Sequence, residues 1–101
     1  MIDLKLSHLR KVRNILAGHV PEFDVLVYGS RAEGTAKKYS YLDLAVLTER
    51  PLAAARLEGL SMAFTAAGLP FRVETVDWAT IGSSFRSVIK KTGVIIQSTK
   101  S

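Results

Sequence analysis

The sequence predicts a two-layer α+β domain, with a small mixed β-sheet packed on helices. Three observations lead there. Apolar residues recur at helical spacing in the stretches that begin near Leu6, Leu52 and Ser83. Short apolar runs lie between these stretches, at Val25–Gly29, Leu42–Leu47 and Phe71–Val76. The resulting order is helix, strand, strand, helix, strand, helix, which suits one sheet covered by helices. With 48% hydrophobic residues in 101, the chain can bury one core, so residues 1–101 read as a single domain.

The elements follow in order. Met1 to Lys5 reads as a loose lead-in. Leu6, Leu9, Val12, Ile15 and Leu16 form one apolar stripe of a helix from Leu6 to Gly18, with Asp3 or Ser7 as its cap and Gly18 and Pro21 as its stop. His8 and His19 are isolated and read as surface or boundary residues. Val25 to Gly29 is the first strand, and residues 30–35 make a turn or short helix. In the second strand Tyr41, Asp43 and Ala45 share one face, and Leu42, Leu44 and Val46 the other. Pro51 opens an alanine- and leucine-rich helix that Gly68 and Pro70 end. Phe71 to Val76 is the third strand, Asp77 its end or a cap, and Trp78 a core residue. A helix from Ser83 or Ser84 carries Phe85, Val88 and Ile89 as its stripe and stops at Gly93. Val94–Ile96 reads equally as a strand or a helix end, and Gln97 to Ser101 as a frayed tail.

Charge and composition narrow the function. The net charge of +5 suits a triphosphate, a nucleic acid or an acidic protein. The basic groups, Lys5 to Arg13, Lys37-Lys38 and Arg86 to Lys91, have few interleaved aromatics, which disfavours direct nucleic-acid binding. The absence of cysteine excludes a disulfide, a zinc–thiolate site and a catalytic thiol. No signal-like stretch or membrane-length apolar run is present, so a cytoplasmic protein away from membranes is expected.

The chemistry concentrates between Val25 and Leu47. An apolar strand runs into Gly29-Ser30, a basic loop follows, and Asp43 interrupts the next apolar strand. A carboxylate there is costly unless paired or metal-bound. Gly29 allows a sharp turn and close approach to a ligand, and Ser30 offers a hydroxyl and an N–H. Arg31, Lys37 and Lys38 add positive charge, and Asp43 can hold a divalent cation against phosphate. A Gly-Ser turn beside a carboxylate paired with an Arg or Lys explains the same residues, and the bare residues leave both readings open.

Gly29-Ser30, ten residues, then Tyr41-Leu42-Asp43 resembles the signature of the DNA polymerase β nucleotidyltransferase superfamily, a Gly-Ser pair followed by Asp-x-Asp. Arg31, Gly34 and Ser40-Tyr41-Leu42-Asp43-Leu44 look most like its small stand-alone members, the minimal nucleotidyltransferases. The resemblance implies the nucleotidyltransferase fold, a site for ATP and Mg2+, metal binding and catalysis by Asp43 and Glu74, and nucleotide contacts from Gly29, Ser30, Arg31, Lys37, Lys38 and Ser40. It also implies a helical HEPN-domain partner, the pair acting as toxin and antitoxin, with AMP transferred from ATP to a tyrosine of the HEPN ribonuclease. The acceptor is otherwise a second copy of the chain or a free small molecule.

Two positions depart from the pattern. Tyr41 stands where the first metal-binding aspartate belongs, and a phenol with a pKa of about 10 is a poor magnesium ligand. Glu74 replaces the usual later aspartate with a side chain one methylene longer. These departures favour a second reading, a catalytically degenerate protein that neutralises a HEPN partner by contact.

Overall fold

The computed structural model describes residues 1–99. Its order is α1 (Leu6–His19), β1 (Val25–Tyr28), α2 (Ser30–Glu33), β2 (Leu42–Val46), α3 (Ala54–Ala66), β3 (Val73–Asp77), a short 3-10 turn (Trp78–Thr80), α4 (Ser83–Thr92) and β4 (Val94–Gln97). The sheet runs β3-β2-β1-β4, with β1 antiparallel to both β2 and β4, and β2 parallel to β3. It is therefore mixed, in agreement with the α+β expectation.

Alternation along the strands sorts the sheet into two faces. Val25 and Val27 of β1, with Leu42, Leu44 and Val46 of β2, are fully buried and pack with Val12 and Leu16 of α1 and Leu60 and Phe64 of α3. That face is the core. The other face carries Tyr28, Asp43 and Glu74 in one register row and Leu26, Ala45 and Val76 in another. α4 lies against this second face: Phe85 meets the Tyr28 ring edge-on at 5.7 Å, and Ile89 is fully buried. Gly93 lets the chain turn there, because a Cβ would stand 2.6 Å from the Ile89 carbonyl oxygen and 3.1 Å from Leu26.

Several local expectations change. Val94–Gln97 is a strand, and Gln97 is tied down because its amide donates to the Val20 and Phe23 carbonyls. Thr99 likewise donates to Asp24, while the rest of the expected tail, residues 100–101, lies outside the described residues. Neither Asp3 nor Ser7 caps α1, whose N-cap is Lys5 without a side-chain bond. The lead-in is not loose, since the Asp3 N–H donates to the Arg31 carbonyl. α3 begins at Ala54 rather than beside Pro51, because the Leu52 N–H is drawn onto the Asp77 carboxylate and Ala53 stays extended. Trp78 is only half-buried, with the Arg86 and Lys90 cations 5.2 and 5.6 Å from its ring. The α4 stripe is split: Ile89 is buried, whereas Phe85 and Val88 are exposed.

Candidate active site

Three strands and one loop build the site. Tyr28, Asp43 and Glu74 stand side by side across β1, β2 and β3. The chain leaves β1 at Gly29, whose φ of 75° and ψ of −155° belong to a region open essentially to glycine. The Ala32 and Glu33 N–H groups both close on the Gly29 carbonyl, which starts α2 directly after the strand. A Cβ on Gly29 would lie 2.7 Å from Asp43 Oδ2, so the glycine also leaves room for that carboxylate. The loop and the strand aspartate, fourteen positions apart, thus meet at one point.

Asp43 is half-buried, and its carboxylate accepts no hydrogen bond and joins no ion pair among the described residues. Burial, then the charge of Glu74, raises its carboxyl pKa above the ordinary range. Tyr28 is pushed up to about 12 by burial first, then by the charges of Asp43 and Glu74, so its phenol stays protonated. Two neighbouring carboxylates form a donor set that suits one magnesium ion shared with phosphate oxygens. No group of three His, Cys, Asp or Glu converges among the described residues, so the protein side of a larger metal cluster is lacking. Tyr41 is 48% exposed just before β2, with the Arg72 guanidinium 5.8 Å from its ring.

The expected nucleotide contacts divide. Gly29 and Ser30 stand at the end of β1 beside the carboxylates, and the Ser30 hydroxyl has no partner among the described residues. Arg31 does not reach toward phosphate. It is 6% exposed, stacks 4.3 Å from the centre of the Phe71 ring, and donates to the carbonyls of Asp3, Lys37, Lys38 and Ser40. The buried cation thereby holds the 37–40 loop to the lead-in of the chain. Ser40 belongs to the same fastening, since its hydroxyl accepts from the Lys37 N–H at 2.9 Å. Lys37 and Lys38 line a small cavity with His8, Pro70 and Phe71, a group that contains neither Asp43 nor Glu74. Tyr39 is exposed, with the Lys38 ammonium 5.3 Å from the centre of its ring.

Tyr28, Phe85 and Arg72 were absent from the sequence-derived site. A signal for Tyr28 existed: an antiparallel pairing of the first two strands that sets the Gly29 turn beside Asp43 makes Tyr28 its direct neighbour. Phe85 and Arg72 reach the site through tertiary packing and left no such signal.

A Gly-Ser turn closing on a strand carboxylate, with a second carboxylate on the next parallel strand, is the candidate site of this sheet. The chain belongs to the polymerase beta nucleotidyltransferase family, whose model matches residues 10–101. It is 45% identical over 96 residues to the probable protein adenylyltransferase MntA of Haemophilus influenzae, covering 95% of this chain and 84% of that protein. Its fold matches a chain in the crystal structure of a toxin–antitoxin with AMP-PNP at a TM-score of 0.76 and 22% identity, over 91% of this chain and 74% of the other. A chain in the complex of a tri-AMPylated Shewanella oneidensis HEPN toxin with its MNT antitoxin matches at 0.72 and 18% identity, over 96% and 75%. At these identities the structural likeness speaks for the fold alone.

Proposed function

We propose that this chain is an antitoxin that binds magnesium-ATP and transfers AMP to a tyrosine of a HEPN-domain partner. The observation that carries the reading is the Asp43 carboxylate, without a partner among the described residues and set beside Glu74 and against the Gly29 turn. The names of the relatives support the choice of donor and partner: one is a probable protein adenylyltransferase, and one structural neighbour is a complex with a tri-AMPylated HEPN toxin.

In this reading Gly29 and Ser30 receive the triphosphate. Asp43 and Glu74 would hold a magnesium ion, which supplies charge neutralisation at the phosphates. The acceptor hydroxyl attacks the α-phosphorus, the bond to the bridging oxygen of pyrophosphate breaks, and Glu74, the more exposed of the two carboxylates, takes the hydroxyl proton. Tyr28 stays protonated and offers a neutral O–H beside the two carboxylates. Most of the rate then rests on positioning and electrostatics.

Tyr41 favours a second reading, in which the protein neutralises its partner by contact without transfer. Calorimetric titration of magnesium-ATP into the wild type and into Tyr41→Asp separates the two. The transfer reading expects magnesium-dependent binding to both proteins, and AMP on the partner in a mass-spectrometric assay. Binding by Tyr41→Asp alone establishes the contact reading. Binding by neither overturns the nucleotide site.

A further inference from the structure

We infer that the open edge of β3 is the acceptor site: an extended tyrosine-bearing segment of the partner lies along it as an added strand. This inference rests on the transfer reading above and names how the acceptor is held.

The sheet ends on β3, with no described strand beyond it. The phase of its hydrogen bonds is fixed by the Leu42 N–H, which donates to the Arg72 carbonyl at 2.9 Å. Backbone groups alternate along a strand, so Arg72, Glu74 and Val76 turn theirs toward β2. Those of Val73 and Thr75 therefore point away from the sheet, where another strand can pair with them. Beside this edge runs a groove of about 430 Å³, lined by Ser61, Thr65, Leu69, Phe71, Arg72 and Glu74 among others. Its lining is more polar than apolar: the α3 wall carries hydroxyls, Leu69 and Phe71 give it an apolar part, and the β3 wall includes the residue assigned here as base.

Alternation in the added strand supplies the specificity. A paired strand lies about 4.8 Å from its neighbour, and its side chains point to the two faces in turn. A tyrosine aligned with Glu74 projects on the face that holds Asp43 and Tyr28. Its two neighbours project on the opposite face, toward Phe64, Leu69 and Phe71 in the groove. One binding mode thus delivers a hydroxyl to the carboxylates and anchors the flanking residues. Main-chain pairing accepts many sequences, and the groove meets the side chains on either side of the tyrosine with hydroxyls, charged groups and the Leu69 and Phe71 side chains.

The probe is the blocked peptide acetyl-Thr-Leu-Tyr-Leu-Thr-amide, titrated into the isotope-labelled full chain and followed by amide chemical shifts. Magnesium-ATP is titrated separately into the same samples and read at Gly29 and Ser30. Thr75→Pro removes an outward N–H, a change that an edge strand tolerates because no internal ladder bond is lost. Ser61→Trp narrows the groove from the exposed side of α3 and keeps the edge intact. The inference expects peptide shifts centred on Val73 and Thr75, affinity lowered about tenfold or more in each folded variant, and an unchanged ATP response. It is overturned by no peptide response, by shifts centred elsewhere, or by wild-type affinity in either folded variant. Loss of the ATP response in the wild type instead counts against the nucleotide site, whatever the peptide does.

Discussion

Two aspartates sit in apolar strands of this protein, and their surroundings are opposite. Asp77 ends β3 on the core side, 4% exposed. Its carboxylate accepts the Thr48 hydroxyl and the Leu52 N–H, and Thr48 in turn accepts the Ala79 N–H at 3.0 Å. Asp43 lies half-buried on the other face, beside a second carboxylate and against a glycine, with no donor among the described residues. One charge is saturated by its own fold, and the other is left for something the fold does not contain. A buried carboxylate is therefore informative about function only after its partners are known.

The largest expected effect breaks the saturated member. Asp77→Ala strands the Leu52 N–H and the Thr48 hydroxyl, and should cost about 3 kcal/mol in urea unfolding, since bonds to a charged acceptor are the stronger kind. Asp77→Asn retains an acceptor oxygen and should lose less. A change at Asp77 that leaves stability untouched would erase the contrast.

Next in size is the contact that confines Asp43. Gly29→Ala forces a side chain into a glycine-only conformation and onto Asp43 Oδ2, at a cost of about 1–3 kcal/mol. Adding Asp43→Ala removes the collision but leaves the backbone strain. A double-mutant cycle by urea unfolding should therefore return a coupling of about 1 kcal/mol. Additive effects would show that the two residues do not press on each other.

A smaller effect has the sign of a functional carboxylate. The folded state holds the Asp43 proton more tightly than the unfolded chain does, so ionising it lowers stability. In a chelator-containing buffer, Asp43→Asn should melt slightly above the wild type at neutral pH, and the gap should close as pH falls through the carboxylate range. The equivalent change at Asp77 should lower the melting temperature.

The smallest effect is spectroscopic. Tyr28 should ionise near a pH of about 12 in an ultraviolet titration, and Tyr28→Phe should remove that step. Asp43→Asn should bring it down, because part of the shift comes from that charge.

How much of this was legible beforehand depended on the kind of contact. Periodicity gave α1, β1 and β2 nearly at their observed bounds, since each buries one continuous face. The strand phase of Asp43 was readable, and so was its incompatibility with an apolar strand. The split stripe of α4 was not, because Ile89 is fully buried while Phe85 and Val88 remain exposed. Arg31 was read as a phosphate ligand from its place beside Gly29-Ser30. Its partners are carbonyls at positions 3, 37, 38 and 40, and a convergence of backbone oxygens leaves no mark in residue identity.

That guanidinium has a consequence for the order in which the protein opens. The 37–40 loop is fastened through Arg31 to a carbonyl near the very start of the described chain. Fraying of the first residues therefore takes one of its four carbonyl partners from the guanidinium and loosens its hold on the loop that leads into Tyr41 and Asp43. Amide hydrogen exchange in Lys37 and Ser40 should follow that of Asp3, faster than in the core strands, as one cooperative unit. A fusion or cleavage at the amino terminus, remote in sequence from the carboxylates, would then loosen the approach to them.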